Sequence, residues 1–150
     1  MNKYINFIDL QSLPQAAGAT GEALTHVEQK LGMPIPLSLK EYLLIMGKNK
    51  PLLFEEWDYH GIDDILYLHE WIYEWINRYK NEGIQLDGLD HVIPFYKFQD
   101  TFFFIPAGEN DNPPVYAFDI GDTPDVRKLD DSFSEFVKHR FFRLKTGNNR

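Results

Sequence analysis

The side chains of this sequence that can move a proton or hold a metal gather in one short window. His60 stands between Asp58 and the pair Asp63 and Asp64. One imidazole and three carboxylates that close together can ligate a divalent metal or work as an acid–base pair. The same residues have a plainer use, because Asp is favoured just ahead of a helix, where it accepts hydrogen bonds from free N–H groups. His69-Glu70 opens like a His-Glu-x-x-His zinc motif, but position 73 is Tyr where the second His belongs. Asp119, Asp122 and Asp125 lack the spacing and closing Glu of a calcium loop. His26, His91 and His139 are isolated in the sequence. The chain has no Cys, so thiol nucleophiles, disulfides and Cys-ligated metals are excluded. It has no Gly-x-Ser-x-Gly elbow, phosphate loop or dinucleotide fingerprint. The expectation is a protein with no catalytic residue, no metal and no cofactor. An unrecognised metal-dependent hydrolase built on His60 is the competing enzyme reading.

Binding chemistry is better represented. Glu55, Glu56, Asp58, Asp63 and Asp64 follow one another with no Lys or Arg between them, and Trp57 and Tyr59 lie among them. Carboxylates steer a basic partner, and large aromatics hold it once docked. An edge strand with its rings turned inward would use the same residues without binding anything. A second acidic region, Glu109 to Asp131, has seven acids against Arg127 and Lys128, and Asp111, Asp119 and Asp122 are its contact candidates. Lys138 to Arg150 carries five bases and no acid. The net charge of −8 disfavours nucleic acid, which needs a basic surface to release counterions. It suits a basic protein partner.

The elements that must position these residues follow from periodicity. Leu24, Val27 and Leu31 share a helical face, with Thr20 as its N-cap and Gly32 as a left-handed C-terminal cap. Pro34 and Pro36 stop that helix. A second begins near Leu37, buries Leu39, Tyr42, Leu43 and Met46, and ends at Gly47. Residues 1–19 are mixed; Tyr4, Ile5, Phe7, Ile8 and Leu10 fit a short helix or an edge strand. A strand, alone or with a loop, is expected within residues 50–62. Asp63 or Asp64 then caps a long helix over about Ile65 to Lys80, with Ile65, Leu68, Ile72, Trp75, Ile76 and Tyr79 as its buried stripe. Leu66, Tyr67, Trp71 and Tyr73 widen that stripe, as in a helix covered on more than one side.

The period then changes. His91 to Phe95, Thr101 to Ile105, Val115 to Asp119 and Val126 to Leu129 are short apolar runs bounded by turn residues, as in an antiparallel meander. Pro94 and Pro106 belong at strand ends, bulges or edges, because proline has no N–H for the ladder. Ser132 and Glu135 form a capping-box pattern at the start of a last helix that buries Phe133, Phe136, Val137 and Phe141.

The helical pair carries a family resemblance. Glu28, Leu31, Gly32, Ile35, Pro36, Tyr42, Leu43 and Leu44 resemble the opening of the SUKH superfamily, which includes fungal cell-wall assembly regulators and bacterial immunity proteins. Leu31, Gly32, Pro36, Tyr42 and Leu43 are its structural motif here. His91 to Phe95, Pro114 to Asp119 and Ser132 to Phe136 are similar to later family segments. The chain departs where it has Gly47-Lys48-Asn49 for Asn-Gly-Gly and Gln99-Asp100 for a glycine pair. The resemblance implies an immunity protein that binds and neutralises a bacterial toxin, with a nuclease as one candidate target. It allows a regulatory or scaffold domain as the alternative.

With 150 residues, 43% of them hydrophobic, the chain is large enough for one core and too apolar for disorder. The expectation is a single α+β domain with its core at about residues 20–142 and residues 145–150 frayed. An antiparallel sheet of about four to six strands packs against the helical pair, the long middle helix and the C-terminal helix. No run approaches the 18 or so apolar residues of a membrane span. Asn6, Asp9, Gln11 and Ser12 interrupt any leader-like stretch. A cytoplasmic monomer or weak dimer that binds a basic toxin domain, and neither nucleic acid nor membrane, is the resulting picture.

Overall fold

The computed structural model describes residues 2–8, 17–48 and 59–145, with side chains through residue 142. Helix α1 (Gly21–Leu31) starts where Thr20 Oγ1 accepts the Ala23 N–H at 3.1 Å. Leu24, Val27 and Leu31 are buried, as their spacing predicts. Gly32 ends the helix at φ 72°, and its N–H returns to the Glu28 carbonyl. Helix α2 (Leu37–Met46) begins directly after Pro36. Glu28 braces the turn between them: its Oε2 accepts the Ile35 N–H at 2.8 Å and meets Lys40 Nζ at 3.2 Å.

Residues 2–8 have no regular structure, so Tyr4, Ile5, Phe7 and Ile8 lie in neither a helix nor an edge strand, and Leu10 lies outside the described residues. The buried carboxylate of Glu41, on α2, accepts the N–H groups of Tyr4 and Ile5 at 2.8 and 2.9 Å. A side chain thus takes up two amides that a strand would spend on a ladder.

Five strands form one antiparallel meander in chain order: β1 (Tyr59–His60), β2 (Val92–Phe98), β3 (Thr101–Pro106), β4 (Val115–Asp119) and β5 (Asp125–Asp130). Pro94 sits at a register shift in β2, and Pro106 is the last residue of β3, so neither disrupts the ladder. Helix α3 (Ile62–Asn81) lies between β1 and β2 in the chain, and α4 (Phe133–Lys145) closes the fold.

Strand alternation divides the core in two. Phe103, Ile105, Val115 and Ala117 pack with the buried faces of α1, α2 and α4. Phe102, Phe104 and Phe118 pack with Leu68, Ile72, Ile76 and Tyr79 of α3. The sheet separates the two clusters, and α3 takes part in both: Ile62 and Ile65 of its first turns join the first cluster, and α1 packs directly against α3. This is a four-helix, five-strand α+β domain.

Helix α3 departs from its expected form in two respects. It begins at Ile62, preceded by Gly61 at φ 101°, and Asp63 and Asp64 lie in its first turn rather than capping it. The carboxylate of Asp64 instead accepts the His60 N–H at 2.8 Å. Trp75 is only partly buried against the core, and the Arg78 guanidinium lies over its ring at 4.4 Å.

Candidate functional site

A row of side chains crosses the sheet on its α3 face. Tyr59, Lys97, Phe102, Phe118 and Val126 are successive cross-strand partners on β1 to β5. The inner members of the row are covered by α3. At the β1 end the cover stops, and Tyr59 remains 38% exposed. Tyr67 and Trp71, one helical turn apart on α3, meet it there. The Tyr59 ring lies 5.6 Å from Tyr67 and 5.4 Å from Trp71, and Tyr67 and Trp71 are 5.3 Å apart. Tyr67 is 49% exposed. Trp71 is the floor of this cluster, edge-on to Phe102 at 5.6 Å. Under it the ammonium of Lys97 lies 4.3 Å from the Trp71 centroid and donates to the Gln99 carbonyl. Lys97 is itself buried.

Local geometry places this cluster. Gly61 joins β1 to α3 against the end of α2, with the Ile62 N–H donating to the Gly47 carbonyl at 2.8 Å. A Cβ on Gly61 would stand 2.6 Å from that carbonyl oxygen, so only glycine fits this junction. The junction sets Tyr59 beside the first two turns of α3.

Carboxylates rim the rings. Asp63, Tyr67, Glu70 and Glu74 fall at i, i+4, i+7 and i+11, and all four are exposed along one side of α3. From Ile62 to Asn77 the helix carries four acids and no Lys or Arg. The partner candidates Tyr59, Asp63 and Asp64 thus lie at this end of the molecule. Glu55, Glu56, Trp57 and Asp58 lie outside the described residues. Sequence reasoning missed Tyr67, Trp71 and Lys97. Their signal was the excess of aromatics beyond one helical stripe, which reads equally as a helix covered on two sides.

The second acidic region is dispersed. Asp111 lies in the loop between β3 and β4, where its carbonyl accepts the Ser38 N–H at 2.9 Å. Next to it, Asn112 accepts the Ser134 N–H at 3.0 Å and so ties that loop to α4. Asp119 and Asp122 lie at the opposite end of the sheet. Asp119 accepts from Thr101 Oγ1 at 2.5 Å and from Arg127 Nε at 3.2 Å. Partial burial works against its charge, but the hydrogen bonds from Thr101 and Arg127 and the Arg127 cation together hold its carboxyl below the usual range. Its oxygens are thus engaged within the sheet, while the Asp122 side chain is exposed in the β4–β5 turn.

The His60 side chain turns into the core, and Asp58 lies outside the described residues. His60 is buried, and its Nε2 shares a 2.5 Å hydrogen bond with the Tyr42 hydroxyl across the core. Burial pushes the Tyr42 phenol well above its ordinary pKa, against the opposing charge of Arg140, so Tyr42 stays neutral. Among the described residues, no group of three or more His, Asp or Glu side chains could hold a metal ion. The arrangement the hydrolase reading needs is therefore missing from the described part of the chain.

A family model described as the SMI1/KNR4 family (SUKH-1) matches residues 18–139, and the chain belongs to that family. No curated protein matches it. The matched span runs from the approach to α1 into α4 and includes the whole sheet. Membership supports a domain of the immunity or cell-wall-regulator type. Among the described residues no helix is long and apolar enough to cross a membrane.

Proposed function

We infer that this chain is an immunity-type protein that binds a basic bacterial toxin domain and neutralises it by forming a complex. It works by occupation and not by turnover, needs no cofactor, and acts in the cytoplasm as a monomer or weak dimer. The observation that carries this reading is the exposed ring cluster of Tyr59, Tyr67 and Trp71 with its carboxylate rim. Aromatic anchors with a charged border are interface chemistry, and such rings stay exposed at a solvation cost that binding recovers. Family membership supports the immunity role and the regulatory role alike.

The test is protection. A toxin gene adjoining this one is expressed in sensitive cells with and without this chain. Survival only in its presence, together with co-purification of the two proteins, is the expected result. A neighbourhood without a toxin gene, or death despite folded protein, favours the regulatory reading.

A further inference from the structure

Three features set the chemistry of the exposed cluster apart from a general sticky surface. First, its aromatic set already holds one cation: the Lys97 ammonium lies 4.3 Å from the Trp71 centroid and 5.4 Å from that of Phe102. One turn further along the helix, Trp75 carries the Arg78 guanidinium. Among the described residues no Lys or Arg lies over Tyr59 or Tyr67, the two most exposed rings of the cluster. Secondly, Asp63, Glu70 and Glu74 stand exposed on the same side of α3 as Tyr67, with no base between Ile62 and Asn77 to neutralise them. Thirdly, at the described end of β1 the Asp64 carboxylate accepts the His60 N–H, so that amide is not open to strand addition. A partner at this point engages side chains.

We propose that the outer face of α3, with Tyr59, receives a cationic segment of the partner protein, one Lys or Arg side chain resting on the Tyr59–Tyr67 rings between the carboxylates of Asp63 and Glu70. A cation over an aromatic face gains from the ring quadrupole, and more so where nearby carboxylates balance its charge. This deepens the immunity reading and rests on it for the partner's identity. The chemistry of the surface is testable apart from that identity.

The probe is a hexa-arginine peptide, with hexa-citrulline as its neutral isostere, added at low salt to the isotopically labelled full chain. The expected result is that hexa-arginine shifts the resonances of Tyr59, Tyr67, Glu70 and the Trp71 indole, and hexa-citrulline does not. Tyr67→Ala and Glu70→Gln, both at exposed positions, should each weaken the peptide by about fivefold without moving the melting temperature. Shifts centred on Asp111 or Asp122, equal binding of the citrulline peptide, or no shift at all would overturn the proposal. The protection assay is scored separately. If the peptide shifts occur here but no cell is protected, the surface stands and the immunity reading falls. If the Tyr67→Ala, Glu70→Gln double variant binds the toxin as tightly as the wild type while both protect, the surface is wrong and the immunity reading stands.

Discussion

His69 shows how one side chain sets a pH dependence. It lies on α3 with its Nε2 buried and unpartnered and its ring 4.8 Å from that of Tyr73. Burial lowers its pKa from the ordinary value, against the pull of Glu70 upward. A histidine with a lowered folded-state pKa favours folding only while it is neutral. Its contribution is therefore complete above the unfolded pKa of about 6.5 and declines as pH falls from there through the lowered folded value. His69→Phe should flatten the loss of stability in that window, measured as melting temperature between pH 7.5 and 5. An unchanged slope would mean that His69 carries its charge freely in the folded state. Trp75 is a second case. As a fully buried ring its truncation would cost about 3–5 kcal/mol, but it is only partly buried and shares one face with Arg78. Trp75→Ala should fall below that range in denaturant unfolding, and a loss inside it would show that the ring is core after all.

Among the elements, the α1–α2 hairpin was the most legible in sequence and α3 the least. The hairpin is written in residues with one local solution each: Thr20 before the first turn, Gly32 after the last, and Pro36 ahead of Leu37. Each acts through its own backbone or a neighbour a few positions away. Gly32→Val should therefore cost about 1–3 kcal/mol, the usual range for a strained backbone. A Cβ at Gly32 meets nothing within 4 Å, so the loss would come from φ 72° and not from a clash. An unchanged melting temperature would show that α1 can end without the left-handed residue. The meander was equally readable, since its strands are short and bounded by turns, and Pro94 fell on a bulge as its missing N–H requires. Helix α3 was not. Ile72 and Trp71 are neighbours of similar hydrophobicity, yet Ile72 is fully buried and Trp71 forms the floor of an exposed cluster. Periodicity identifies an apolar side, but it does not say where the covering layer stops. That depends on the Gly61 junction, which is set by its tertiary contact with the Gly47 carbonyl. The Trp71 ring over buried Lys97 and the Glu41 carboxylate that holds Tyr4 and Ile5 were illegible for the same reason: these partners are distant in the chain.

At the scale of the whole molecule, the sheet divides the labour. One face is closed by α1, α2 and α4 over the larger part of the core, including the Tyr42–His60 pair. The other is closed by α3, and the exposed rings and acids gather where that cover ends. In the proposed complex the charge of −8 would act at long range on a basic partner and the rings at contact. The central claim is neutralisation by occupation. The most direct measurement is a titration of the neighbouring toxin's activity with this purified chain, read as residual activity against mole ratio after increasing times. Binding predicts a linear fall to an end point at one chain per toxin, unchanged by longer incubation. Continued loss of toxin activity at a small fraction of that ratio would mean turnover and would contradict the account.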